Sequence, residues 1–115
     1  MPADDTTDGD AATSAGVDVS GEADLDARLA NLPARPGVYL LRDRHGKVIY
    51  VGKAKRLRSR VRSYFRGGDE RAQVRFLVNR VTTFETLVTT NEKEAFSLEN
   101  NLIKQYKPRY NIRLK

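Results

Sequence analysis

Apolar and polar positions along the chain fall into short runs whose period changes from strand-like to helical. Gly37-Val38-Tyr39-Leu40-Leu41-Arg42 reads as one strand and Lys47 to Gly52 as a second, with Asp43-Arg44-His45-Gly46 as turn residues between them. Two such runs joined by a short polar turn predict a β-hairpin, entered irregularly through Pro33 and Pro36. A symmetric turn over 43–46 pairs Arg42 with Lys47, Leu41 with Val48, Leu40 with Ile49 and Tyr39 with Tyr50. That register sets the two phenols directly opposite each other on one face. From Lys55 to Phe65 the period lengthens, and at ~100° per residue Leu57, Val61, Tyr64 and Phe65 share one helix face. Gly67-Gly68 breaks this helix, and Asp69 can cap a second one carrying Ala72, Val74, Phe76, Leu77 and Val81. The β-branched stretch Thr82 to Thr90 predicts a third strand. Asn91 followed by Glu94 forms a capping-box pattern, so a third helix begins there and runs to about Tyr106, because Pro108 forbids continuation. The pattern predicts an α/β fold: a small three-stranded, mostly antiparallel sheet flanked by helices.

Charge divides the chain in two. Up to Asp26 there are eight acidic residues and no Lys or Arg, which leaves seven acidic residues against all 21 basic ones, a balance of +14, in the remainder. The first segment has few large apolar residues, so residues 1–27 are expected to be a disordered acidic tail and 28–115 a single folded domain. The N-terminal stretch lacks the basic and apolar regions of a secretory signal. No apolar run reaches the 18 or more residues that a membrane span needs. There is no cysteine and His45 is the only histidine, which excludes disulfides, thiolate zinc sites and histidine metal clusters. A cytoplasmic protein is the expectation. A small domain with this charge calls for a polyanionic partner. Nucleic acid leads; a membrane surface is weaker, since the basic helix has a short apolar face and the chain has no Trp.

Three sets of residues carry candidate chemistry. Lys53, Lys55, Arg56, Arg58, Arg60 and Arg62 place six cations in ten residues, with Arg66 one turn further on. They read either as a solvated basic face or, preferentially, as contacts to a phosphate backbone, whose strength falls steeply with salt. Arg58 and Arg62 lie away from the apolar face, whereas Arg60 sits at its boundary, one turn from Tyr64. Tyr39 and Tyr50 read either as a cross-strand aromatic pair or as two hydroxyls converging beside cations. Nearby Lys and Arg favour phenolate, and a tyrosine so placed can serve as a general base. Glu99 falls inside the apolar stripe of Ala95, Leu98, Leu102 and Tyr106 on the third helix. A carboxylate there needs a cation, supplied either by a structural ion pair or by a divalent metal. Asn111 follows Pro108 in a segment expected to be non-helical and to return toward the same site.

Gly37-Val38-Tyr39 and Tyr50-Val51-Gly52, with the flanks PGVYLLRDRHGKVIYVGKAKRLRSRVRSYF and EAFSLENNLIKQYKPRYNI, resemble the GIY-YIG nuclease domain, in particular the N-terminal catalytic domain of the UvrC excinuclease subunits. The resemblance spans about 32–115. It implies a metal-dependent endonuclease that hydrolyses a phosphodiester bond 3′ to a lesion during nucleotide excision repair, in the DNA-damage (SOS) response. It implies double-stranded damaged DNA as substrate, UvrB as a partner and UvrA indirectly. On the family's motif, Glu99 would hold a single Mg²⁺ or Mn²⁺. Tyr50 would activate the attacking water, Lys53 would favour its ionised form, and Tyr39 would position the nucleophile. Arg60 would bind the scissile phosphate, and Tyr64 and Asn111 would complete the site by hydrogen bonding. A non-catalytic nucleic-acid-binding module and a stand-alone structure-specific nuclease are the alternatives.

Overall fold

The computed structural model of the chain describes residues 17–18, 22–66 and 72–113. In order these form β1 (Val17–Asp18), α1 (Glu22–Ala30), β2 (Gly37–Arg42), β3 (Val48–Ala54), α2 (Leu57–Arg66), α3 (Ala72–Val78), β4 (Thr83–Val88), α4 (Glu92–Tyr106) and α5 (Arg109–Arg113). The sheet is antiparallel with strand order β1-β4-β2-β3. The three expected strands are its body, and the two-residue β1 is added outside β4.

Alternation along β2 sorts the core into two layers. Tyr39 and Leu41 join Ile49, Phe84, Leu57, Val61, Tyr64, Leu77 and Leu29 on one face. Val38 and Leu40 join Val48, Val51 and Ala95 on the other, with Leu98, Leu102 and Tyr106 packed against them. So α1, α2 and α3 cover one face, α4 covers the other, and β3 is left as an edge strand.

The hairpin departs from the symmetric register. Tyr39 pairs with Gly52 and Leu41 with Tyr50, but Arg42 pairs with Val48, so Ile49 is an extra residue in a β-bulge. The cause lies in the loop. The Asp43 carboxylate accepts from the backbone N–H of His45 (2.9 Å) and of Lys47 (3.1 Å), and the Asp43 N–H donates to the Lys47 carbonyl at 3.0 Å. These bonds close a five-residue loop between Arg42 and Val48, in place of the four-residue turn. Tyr39 and Tyr50 therefore share a face as a diagonal pair, not as directly opposed residues.

The two motif glycines are required by close approach. A Cβ on Gly52 would land on the ring and hydroxyl of Tyr39, and one on Gly37 would meet the Leu87 carbonyl and the Leu57 side chain. Gly52 thus opens the space into which the Tyr39 ring lies, and Gly37 lets β4 and α2 close on β2.

At the N-terminal side, the expected boundary at residue 28 falls inside α1. Residues 1–16 and 19–21 lie outside the described ones. From Glu22 the chain is helical, not a tail, because Leu25, Leu29 and Leu32 form an i, i+4, i+7 stripe that is buried against the α2 layer. Asp26 adds an ion pair to Arg66. The expected break at Gly67-Gly68 and the Asp69 cap also lie outside the described residues. Of the apolar positions assigned to the next helix, Leu77 and Val81 are buried, but Phe76 is largely exposed, its ring edge-on to Tyr110.

Helix α4 starts and stops as its sequence dictates. The Asn91 side chain accepts from the Glu94 N–H at 2.8 Å, and the Glu94 carboxylate reaches back to the Thr90 N–H. It ends at Lys107 in the left-handed region (φ 47°), whose N–H bonds the Ile103 carbonyl. Beyond Pro108 the chain is helical again as α5, against the expectation of an irregular tail. Proline is well suited to open a helix, since its missing N–H would have no partner there.

Candidate active site

Three tyrosines meet on the α2 face of the sheet. Tyr39 comes from β2, Tyr50 from β3 and Tyr64 from the last turn of α2. Their ring centroids lie 5.6 to 6.3 Å apart, and the Tyr39 and Tyr64 hydroxyls share a hydrogen bond of 3.0 Å. Arg60, one turn before Tyr64, stands over its ring with the guanidinium carbon 5.6 Å from the centroid, close enough for its charge to act on Tyr39. The helical spacing that puts Val61 and Tyr64 in the core thus aims Arg60 along the rim of the same cluster.

The electrostatics overturn one expectation. Burial, then the neighbouring tyrosines, push the Tyr39 phenol well above its ordinary value, and Arg60 only partly opposes them. Tyr50 is likewise pushed up, first by burial and then by Tyr64, with Arg60 pulling down and Glu99 pushing up. Desolvation therefore outweighs the cations, and both phenols are neutral near pH 7. Lys53 does not favour a Tyr50 phenolate as expected. It stands exposed on β3 opposite Val38, on the α4 side of the sheet, while Tyr50 faces α2. Burial works against the Arg60 charge too, but Tyr39, Tyr64 and Tyr50 outweigh it and hold the guanidinium more firmly protonated.

Glu99, on α4, is near enough to Tyr50 to act on its titration. It is half-buried, and no cation among the described residues lies within ion-pair distance of it. The structural ion pair that could have explained Glu99 is therefore not found among them. No group of three or more His, Asp or Glu able to hold a metal ion occurs among the described residues. The donor set available is one carboxylate near the Tyr50 phenol. That set suits Mg²⁺, which keeps several waters and takes only one or two carboxylates together with substrate phosphate oxygens. It does not suit a metal that demands an all-protein cage.

Asn111 closes the edge. Its Oδ1 accepts from the Val51 N–H at 2.8 Å and its Nδ2 donates to the Val51 carbonyl at 2.7 Å. The side chain takes the place of a neighbouring strand at one residue of β3, directly after Tyr50, while Tyr110 anchors α5 in the core.

Beside this cluster an open groove of about 910 Å³ runs between α2 and the start of α4. Lys53, Lys55, Arg56 and Arg60 line it, as do Lys93 and Glu92 from α4, so five cations face one carboxylate. The other cations of the basic run are placed elsewhere. The Arg58 Nε donates to the Leu32 carbonyl at 2.7 Å, and Arg66 pairs with Asp26, so both fasten the α1 segment to α2. Arg62 is on the exposed side of α2, away from the groove lining. Sequence reasoning missed Lys93, Ser59, Ser63 and Phe96, all in the groove wall. For Lys93 and Phe96 the available signal was their i, i+3 spacing ahead of Glu99.

A family model described as the UvrC-like GIY-YIG domain matches residues 35–112. UvrABC system protein C of Syntrophus aciditrophicus is 56% identical over 88 residues, 76% of this chain and 14% of that protein. The protein of the same name from Caldicellulosiruptor saccharolyticus is 53% identical over 91 residues, 79% of this chain and 15% of that protein. The chain thus spans about one seventh of the length of these curated relatives. Among solved structures, the GIY-YIG N-terminal endonuclease domain of UvrC from Thermotoga maritima, bound to its catalytic divalent cation magnesium, is 41% identical with a TM-score of 0.67, covering 78% of this chain and 98% of that one.

Proposed function

The chain belongs to the UvrC-like GIY-YIG domain family, and from that premise we propose that it is a divalent-metal-dependent DNA endonuclease that hydrolyses one phosphodiester bond 3′ to a lesion in nucleotide excision repair. Its substrate is damaged duplex DNA in the cytoplasm, presented by UvrB after UvrA has loaded it. The observation that carries the reading is Glu99: half-buried, with no ion-pair partner among the described residues, and near enough to Tyr50 to act on its titration.

The residues divide the work as follows. Lys53, Lys55, Arg56 and Lys93 bind the DNA backbone along the groove. Arg60 places its guanidinium at the scissile phosphate and stabilises the charge that develops there. Tyr39 and Tyr64, joined by their hydrogen bond, fix the position of Tyr50. As a neutral phenol, Tyr50 orients the attacking water by hydrogen bonding. It takes up the role of base only as added positive charge in the assembled complex brings its pKa down. Glu99 would hold Mg²⁺ or Mn²⁺, which would supply neutralisation of the negative charge that builds up during hydrolysis. Asn111 acts by holding the β3 edge, and so the Tyr50 backbone, in place.

The test follows strand cleavage of a labelled duplex with one bulky lesion, with and without UvrB, in Mg²⁺, Mn²⁺ or EDTA. Glu99→Gln lowers the rate by about 100-fold or more, as loss of a main electrostatic contribution should. Cleavage that survives EDTA or the substitution refutes the role of Glu99. DNA binding without any cleavage, in the presence of UvrB, favours the binding-module reading.

A further inference from the structure

Two large apolar side chains among the described residues are exposed: Phe76 and Phe96. Phe76 has company, with Tyr110 edge-on at 6.0 Å between centroids and the Arg80 guanidinium 4.8 Å above its ring. Phe96 is 53% exposed. Among the described residues no ring stacks on it and no guanidinium covers it. It is in the wall of the cationic groove, facing the same space as Lys53, Lys55, Arg56 and Arg60. It also precedes Glu99 by three residues on α4, which puts the two side chains on neighbouring positions of one helix face, with about 5–6 Å between Cβ atoms.

A bare phenyl ring among cations suits one kind of occupant. The cations call for a polyanion, and the ring calls for a flat, apolar or π surface. A nucleic acid strand supplies both, through its phosphates and a base face. In an intact duplex, however, base faces are covered by their neighbours and only edges are accessible. We propose that Phe96 is a stacking platform for a base that has left the duplex stack next to the phosphate bound at Arg60, which lines the same groove. This makes the substrate a DNA strand with an unstacked base within about one or two nucleotides of the cut. The inference rests on the nuclease reading of the site. Phe96 would be a specificity-determining residue, contributing to the choice of distorted over regular DNA.

The experiment measures binding without divalent cation, so that no cleavage interferes. Two duplexes are compared, identical except that one carries a single unpaired base. The wild-type chain binds the duplex with the unpaired base more tightly. Phe96→Ala weakens that binding by about 5- to 150-fold, the range of one base–aromatic stack, and leaves affinity for the fully paired duplex within about twofold. Phe96→Tyr, which keeps a ring face, retains the preference. Equal loss on both duplexes, or no loss on either, overturns the inference, the latter pointing to a protein partner for the ring. Failure of the wild-type chain to bind either duplex at low salt would instead overturn the nucleic-acid reading of the whole groove.

Discussion

Replacing Asn111 with alanine tests how the site is held. The Asn111 side chain satisfies both backbone groups of Val51, at 2.8 and 2.7 Å, in a position where Asn111 itself is buried. Asn111→Ala removes both partners at once. A buried backbone N–H or carbonyl left unmade costs about 1–3 kcal/mol. Val51 lies on an edge strand, so water entering the vacated space recovers part of this, and the expected loss is about 2–4 kcal/mol. For a domain of this size each kcal/mol lowers Tm by about 4–8 °C, a drop of about 10–30 °C. Asn111→Asp keeps the acceptor for the Val51 N–H but turns a second carboxylate oxygen toward the Val51 carbonyl, so it too destabilises. Urea unfolding followed by circular dichroism gives the numbers directly, and cleavage rates on the same samples, kept well below their Tm, give the functional effect. If Asn111→Ala costs less than about 0.5 kcal/mol yet abolishes cleavage, the positioning argument is wrong and the amide touches substrate itself.

Two further outcomes follow from the same geometry. Gly52→Ala drives a Cβ into the Tyr39 ring and hydroxyl. Overpacking of this kind costs about 1–3 kcal/mol, measurable as a lower urea midpoint, and a change under about 0.5 kcal/mol would mean that the ring has room to move. Tyr39 and Tyr50 both hold their protons above the ordinary value of 10.0. Above pH 10 the unfolded chain loses protons that the folded chain keeps, so the phenols' contribution to stability is level below that pH and declines beyond it, by about 1.4 kcal/mol per pH unit for each phenol. Tyr39→Phe should remove one such increment from the alkaline slope; an unchanged slope refutes the burial argument.

The parts of the fold legible in the sequence are those set by local rules. Strand β2 follows from a short apolar run between Pro36 and a polar turn, and α4 from a cap pair at Asn91 and Glu94 and a stop before Pro108. Other parts depend on contacts between distant segments. The hairpin register shifts because the Asp43 carboxylate bonds two backbone groups and a bulge absorbs Ile49, which alternation alone does not encode. Helix α1 and the turn after it carry Leu25, Leu29 and Leu32 in so acidic a setting that composition pointed the other way, although their i, i+4, i+7 spacing was present. In the site, Glu99, Arg60 and the tyrosines were identifiable from residue type and motif. The protonation state of Tyr50 was not, because it depends on burial that only the packed tyrosine cluster creates. Nor was the division of the basic run: Arg58 and Lys55 look alike in sequence, and only the Leu32 carbonyl tells them apart.

The reach of Asn111 across 60 positions to Val51 also bears on how the chain is made. Strands β2 and β3 can pair as soon as they leave the ribosome, since their contacts are local. The side chain that covers the outer edge of β3 is synthesised later, by about 3–12 s at elongation rates of about 5–20 residues per second. Throughout that interval the Val51 peptide groups are open to pairing with any extended segment nearby, including the same strand of a neighbouring nascent chain. The residue that completes the site is thus also the one whose arrival ends the period of greatest risk for misassembly on the polysome.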